Sequence, residues 1–334
     1  MKKLTVKEIA KMAGVSVTSV SFVLNNKPGV SETTREKVKK IIEETGFKPN
    51  LNSKKLVMNK SFNIGLVINS FSSPFEDLFY FEITRGILNQ SIKHNYNITI
   101  CKSAESGNEL PDLVYSGDTD GIIFMQDISE ELMDKVVASG IPAIIVDSHS
   151  ANAKITSVTP DYYRATYDAA THLIERGHEK IALIASETEA NFYKQTLEGF
   201  KGAMEDNGLD IIPGFYGLSA MSEDMAYEVA RKLLSGNTLP TAIVCTVDSF
   251  AIGAMRCAKD LGFAVPEQIS FVGIDDILLS RYVEPRLTTV GIDKVAMGEL
   301  AIDMLLKEIE GDKAESVLLP MSLILRDSVI DLKK

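Results

Sequence analysis

The sequence predicts a small all-α head with a helix-turn-helix at the N-terminus, followed by an α/β body of two doubly wound parallel-sheet lobes. Three observations carry this reading. Charge is segregated: residues 1–60 hold twelve lysines and Arg35 against Glu8, Glu32, Glu36, Glu43 and Glu44, a balance of +8, and the remainder of the 334-residue chain balances to −19. Apolar residues recur at helical spacing over the first 46 positions. After residue 61, short aliphatic runs alternate with amphipathic segments, the pattern of parallel strands covered by helices on both faces.

The head reads as three helices. Thr5 to Ala13 places Val6, Ile9, Ala10 and Ala13 on one face, and Thr5 followed three residues later by Glu8 is a capping-box pattern. Gly14 supplies the turn, because glycine takes a positive φ cheaply. Ser16 caps a second helix, Val17 to about Asn25, with Val20, Val23 and Leu24 inward. Asn26-Lys27-Pro28-Gly29 is a loop, and Ser31 opens a third helix that ends at Gly46. A helix-turn-helix needs a small residue at the helix crossing, a glycine in the turn and a buried aliphatic after it; Ala10, Gly14 and Val15 fill those places. A short second helix rich in hydroxyl side chains suits a major groove. The charge balance implies that the head meets a polyanion while the acidic body repels it. A generic three-helix bundle is the alternative.

In the body, candidate strands are Ile64 to Ile68, Asn97 to Cys101, Gly121 to Met125, Ala143 to Asp147, Lys180 to Ala185, Thr241 to Thr246, Ser270 to Ile274 and Thr289 to Ile292. Helical segments between them include Tyr80 to His94, Glu131 to Ser139, Ala165 to Arg176, Thr196 to Asn207, Ser222 to Ser235 and Phe250 to Leu261. There are too many strands for one compact sheet, and Thr159-Pro160-Asp161 interrupts the pattern, which predicts a split near residue 160. The expected boundaries are 1–49 for the head, 50–60 for a hinge, 61–160 plus 291–320 for the first lobe, and 161–290 plus 321–334 for the second.

Several function classes find no support. No run approaches the length of a membrane span, and the N-terminus regains charge too early for a secretory signal, so a cytoplasmic protein is expected. Cys101, Cys245 and Cys257 lack a metal or redox spacing and read as buried thiols. Nucleotide-loop, nucleophile-elbow and zincin motifs are missing, and His94, His149, His172 and His178 show no metal spacing, so neither an enzyme nor a cofactor or metal is expected. His178 reads as satisfying carbonyls at a helix end. A solute-binding sensor without a DNA role is the rival reading.

Taken together, Thr5-Val6-Lys7-Glu8-Ile9-Ala10-Lys11-Met12-Ala13-Gly14-Val15-Ser16, Val20-Ser21-Phe22-Val23-Leu24-Asn25 and Gly46-Phe47-Lys48-Pro49-Asn50 resemble the DNA-binding head of the LacI/GalR family of bacterial transcription regulators. The resemblance continues through Gly177-His178, Gly199-Phe200, Val265-Pro266-Glu267, Val272-Gly273-Ile274-Asp275-Asp276 and Leu325-Arg326-Asp327-Ser328, covering nearly the whole chain. It implies a two-lobed body like that of periplasmic sugar-binding proteins, which senses a small polar effector such as a sugar or sugar derivative. It also implies repression at double-stranded, near-palindromic operator DNA by a homodimer. Lys334 follows Ser328 too closely for a heptad tail, so a tetramer is not expected.

Carried over residue by residue, the resemblance implies DNA contacts from Thr5, Ser16, Val17, Thr18, Ser19, Ser21, Phe22, Asn25, Ser31, Asn50 and Leu56. Phe22 stands where the family commonly has Arg or His. It cannot make a bidentate guanine contact, and either touches a thymine methyl or packs inward. Asn50 to Leu56 matches the family's hinge helix, with Leu56 as a minor-groove wedge; a flexible Lys-rich linker is the alternative. The implied effector positions are Asp147, Thr196, Leu218, Val247 and Asp275. Asp147 and Asp275 follow apolar strands, where an aspartate can serve a ligand or cap a helix. Thr196 and Val247 replace a usual Arg and Asn, and residues Ser72 to Asp77 resemble an insertion near the cleft mouth.

Overall fold

The computed structural model describes residues 4–24, 27–47, 60–68, 77–102, 108–148, 154–187 and 191–334. The chain divides into two compact units, Met1–Phe62 and Asn63–Lys334.

The first unit contains α1 (Val6–Ala13), α2 (Val17–Leu24) and α3 (Glu32–Thr45). The capping box forms: Glu8 N donates to Thr5 Oγ1 at 3.3 Å, and Thr5 N donates to Glu8 Oε2 at 2.7 Å. Gly14 sits at φ 65 and returns its N–H to the carbonyls of Ala10 and Lys11. A side chain at that left-handed φ would strain the turn. Ile9, Ala10, Ala13, Val20, Val23, Val38 and Phe47 make the core. Each larger apolar side chain buried there contributes about 1.5–3 kcal/mol.

Among the described residues the second unit holds two six-stranded sheets. The first comprises β1 (Asn63–Ile68), β2 (Asn97–Lys102), β3 (Gly121–Met125), β4 (Ala143–Val146), β5 (Thr156–Pro160) and β11 (Val317–Leu319), ordered β11-β5-β4-β3-β1-β2 and parallel throughout. The second comprises β6 (Ile181–Ser186), β7 (Tyr216–Ser219), β8 (Ala242–Cys245), β9 (Ser270–Asp275), β10 (Thr288–Gly291) and β12 (Ser322–Ile324), ordered β12-β10-β9-β8-β6-β7. Only β12 runs antiparallel to its neighbour in that sheet. Both sheets are doubly wound, with switch points at β1/β3 and at β6/β8, and crevices outside the strands' carboxyl ends are where such sheets bind ligands.

α4 (Leu78–Lys93), α5 (Asp112–Tyr115), α6 (Glu130–Ser139) and α11 (Lys294–Ile309) belong with the first sheet, and α7 (Tyr162–Glu175), α8 (Asn191–Asp206), α9 (Glu223–Leu233) and α10 (Asp248–Asp260) with the second. The central strands are apolar on both faces and wholly buried. Gly199 lets α8 lie on α7: a Cβ there would stand 2.2 Å from the Tyr163 carbonyl oxygen.

Some elements differ from the sequence reading. Thr156–Pro160 is strand β5 rather than a break. Pro160 stands at its last position, and the next N–H, that of Asp161, donates to the Leu319 carbonyl at 2.9 Å. β7, β11 and β12 are three- or four-residue edge strands whose side chains are mostly not buried, so they show no aliphatic run. α7 and α8 begin earlier than their apolar periodicity; in α7 Asp161 caps the start by accepting from Arg164 N at 2.9 Å. His178 bonds Thr241 Oγ1 at 3.0 Å and the Ile330 carbonyl at 3.2 Å. Cys245 and Cys257 are buried thiols, and Cys101 is partly buried.

Candidate functional site

In the head, the first turn of α2 faces solvent. Ser16, Val17 and Thr18 are exposed, Val17 at 45%. Ser16 Oγ accepts from Ser19 N at 3.0 Å, which ties the turn to the helix start. Ser19 and Ser21 are half-buried. Thr5 caps α1, and Ser31 caps α3 by accepting from Thr34 N at 3.3 Å. Both helix starts therefore present backbone N–H groups at the positive end of a dipole. Phe22 is half-buried, and its Cε2 lies 3.0 Å from where a Cβ on Gly29 would be, so its ring packs the α2–α3 loop. Arg35 Nη2 donates to the Lys27 carbonyl at 2.8 Å and holds the same loop. Asn25, Asn50 and Leu56 lie outside the described residues.

In the body, Asp147 follows β4 with φ 64 and caps none of the described helices. Its carboxylate accepts from Tyr80 Oη at 2.5 Å and from Tyr162 Oη. Tyr80 is on α4 and Tyr162 opens α7, which packs in the second lobe's core, so the carboxylate ties the lobes together. Burial pushes Asp147 up to about 7, and the two tyrosine hydroxyls oppose that shift.

Asp275 ends β9 with φ 111 and is 6% exposed. Its carbonyl accepts from Lys294 Nζ at 2.5 Å; its carboxylate takes no hydrogen bond from a described residue. Burial, with help from Asp248, holds this acid well above its ordinary range, and Lys294 pulls the other way. Lys294, only 3% exposed, also donates to the Asp276 carbonyl at 2.9 Å and pairs with Glu82 of α4 at 3.4 Å. It is thus a second link between lobes.

The neighbouring acids are satisfied differently. Asp276 pairs with Arg281 at 2.8 Å and with Arg326; burial raises it, but these hydrogen bonds win and hold it below the ordinary carboxylate range. Asp248 is fully buried and accepts from Ile277 N at 3.0 Å, Ser280 Oγ at 2.5 Å and Thr289 Oγ1 at 2.6 Å. Burial still pushes it up to about 6.

Of the other expected effector positions, Thr196 is wholly buried and donates its hydroxyl to the Tyr193 carbonyl at 3.0 Å. Val247 packs in the second lobe's core, and Leu218 is 44% exposed on edge strand β7. None of the three offers a free polar donor. Sequence reading missed Tyr80, Tyr162, Lys294 and Asp248. Ser72 to residue 76 lie outside the described residues, but Asp77 caps α4, accepting from Phe79 N at 2.8 Å. Among the described residues no group of acids, histidines or cysteines is arranged to hold a metal ion. The arrangement suits recognition of a polar ligand by carboxylates on both lobes.

The chain is similar to known proteins over nearly its whole length. Residues 5–50 match the model of bacterial regulatory proteins of the lacI family, and residues 170–329 match that of a periplasmic binding protein-like domain. Catabolite control protein A of Priestia megaterium is 31% identical over 97% of this chain and 98% of its own length. The HTH-type transcriptional repressor PurR of Haemophilus influenzae (strain PittEE) is 31% identical over 91% of each chain. The structure of the lac repressor dimer bound to operator and the anti-inducer ONPF superposes with a TM-score of 0.86 at 27% identity, over 98% of this chain and 100% of that one.

Proposed function

The chain belongs to the lacI family of bacterial regulatory proteins, and we propose that it is a repressor whose hold on near-palindromic operator DNA is set by a small polar effector between the two lobes. One observation carries this reading: a basic helix-turn-helix head shares a chain with two lobes that meet at Asp147 and Lys294. Residues 1–49 form the head and 50–60 the hinge. Residues 61–160 and 291–320 form one lobe, and residues 161–290 and 321–334 the other. In the head, the exposed first turn of α2 meets base edges, the caps at Thr5 and Ser31 meet phosphates, and Leu56 wedges into the minor groove. A ligand that draws the lobes together shifts the population of closed bodies, and residues 50–60 pass the shift to the head. The protein catalyses nothing and works in the cytoplasm, where its operator is.

It acts as a homodimer, because one short recognition helix reads too few base pairs. A surface for the second copy is present on the first lobe. Phe81, Leu88 and Ile92 are exposed at helical spacing on α4, which packs against edge strand β2 with its exposed Ile100. Exposed apolar stripes of this kind mark interfaces.

The test is selection of DNA from a random duplex library by the full-length chain, followed by light scattering of the complex. Enriched sites should be inverted repeats bound by two chains. Enrichment of no sequence, or one chain per site, would refute the reading.

A further inference from the structure

A helix-turn-helix reads bases with the N-terminal residues of its second helix. Strong discrimination there comes from charged and amide side chains: Arg or Lys on guanine, Asn or Gln on adenine, Asp or Glu on cytosine. α2 reads Val-Thr-Ser-Val-Ser-Phe-Val-Leu from Val17 to Leu24 and holds none of these. Asn25, the next amide in sequence, follows the last residue of α2. What α2 can offer a base is therefore a hydroxyl or an apolar surface.

The fold narrows the choice. Val20 and Val23 are buried in the head's core, and Leu24 packs against it. Phe22 is half-buried, with Cε2 and Cδ2 at 3.0 and 3.2 Å from where a Cβ on Gly29 would stand. Gly29 holds φ 114, a conformation that suits glycine, and so leaves the ring its place in the loop. The hydroxyls of Ser16 and Ser19 share a hydrogen bond of 2.9 Å, and Ser16 Oγ also accepts from Ser19 N. Val17 takes part in none of these arrangements. It is outside the head's core and nearly half exposed, and Ser16 and Thr18 on either side of it are exposed as well. The first turn of α2 thus presents an aliphatic side chain with a threonine beside it.

Resting on the reading of the head as a DNA-binding unit, we infer that α2 reads the C5-methyl group of thymine, and that Val17 is the residue that touches it. Among the base edges of the major groove only thymine presents a methyl group. Packing that methyl on Val17 takes apolar surface of both partners out of water, so its worth follows the area buried and needs no hydrogen-bond geometry. Each operator half-site then carries a thymine where Val17 lies.

The test is fluorescence anisotropy of the full-length chain on an inverted repeat selected from a random duplex library. Deoxyuridine replaces one thymidine at a time, symmetrically in both half-sites; it keeps the hydrogen-bonding groups of thymidine and removes only the methyl. At one position of the half-site the replacement should weaken binding about fourfold per methyl, and so about fifteenfold for the symmetric pair. Val17→Ala should bind the thymidine duplex about as weakly as the wild type binds the deoxyuridine duplex, and should no longer distinguish the two. Val17→Ile, which keeps the apolar surface, should still distinguish them. Wild-type binding that no replacement weakens, or a loss that survives in full in Val17→Ala, would overturn the inference and leave the DNA-binding reading standing. Selection of no repeat would overturn both.

Discussion

Head and body solve opposite electrostatic problems. The head concentrates a balance of +8 in 60 residues, and only one of its cations, Arg35, is visibly used to hold a loop. Among the described residues, Lys40 of α3 pairs with Glu44 at 3.9 Å, a weak exposed pair that phosphate can displace. The body balances to −19 yet spends the buried Lys294 and the partly buried Arg326 on its own carbonyls and acids. The surplus that remains in the body is therefore negative. The difference teaches that where the surplus charge is left matters more than the net charge of −11, which taken alone would argue against DNA binding.

The largest expected effect comes from removing a committed cation of the body. Arg326 pairs with Asp276 and donates to the Leu287 carbonyl at 2.7 Å. Arg326→Ala leaves a buried carboxylate facing only Arg281, and should destabilise the body by about 3–5 kcal/mol in chemical denaturation. A loss below about 1 kcal/mol would mean that Arg281 and solvent already satisfy Asp276.

A smaller effect, of opposite sign, is expected at Asp147. Burial pushes Asp147 up to about 7, above the ordinary carboxylate range, so between the two the folded chain binds more protons than the unfolded one. Stability from this group is full at low pH and is lost as pH rises toward 7. Asp147→Asn should therefore raise Tm at about pH 8 and change it little at about pH 4, a gain on the order of 1–2 kcal/mol at the higher pH. A variant less stable than wild type at about pH 8 would show that the tyrosine hydroxyls stabilise the ionised acid fully.

The smallest effect belongs to the head, whose core is small and whose helix ends are individually capped. Ser31→Ala removes the bond from Thr34 N, and should lower head stability by about 1 kcal/mol without moving the main transition of the body.

How much of this is legible in the sequence follows from the range of the interactions. Strands such as Gly121–Met125 and Ala143–Val146 are apolar throughout, and the head's helices carry their own caps and glycine stops, so local pattern suffices for them. β5 is not legible, because Thr-Ser-Val-Thr-Pro lacks an aliphatic run and becomes a strand only by pairing with β4 and β11. The positions of Asp147 and Asp275 after apolar strands are legible for the same local reason. Their surroundings are not. Tyr80 is 67 residues from Asp147, and Lys294 is a charged residue whose burial only the assembled lobes can justify. Phe22 is another such place: its position on α2 leaves a base contact and inward packing both open, and only the fold puts its half-buried ring against Gly29.

The most direct test of the central claim is the salt dependence of operator binding by the full-length chain. Fluorescence anisotropy with a selected inverted repeat should give a log–log slope near −0.9 for each phosphate neutralised, and a loss of affinity of about a thousandfold or more between roughly 50 and 200 mM salt. Lys11→Gln or Lys37→Gln should flatten that slope by about one if the lysine meets a phosphate. Binding that is insensitive to salt over this range would contradict the assignment of the basic head to DNA.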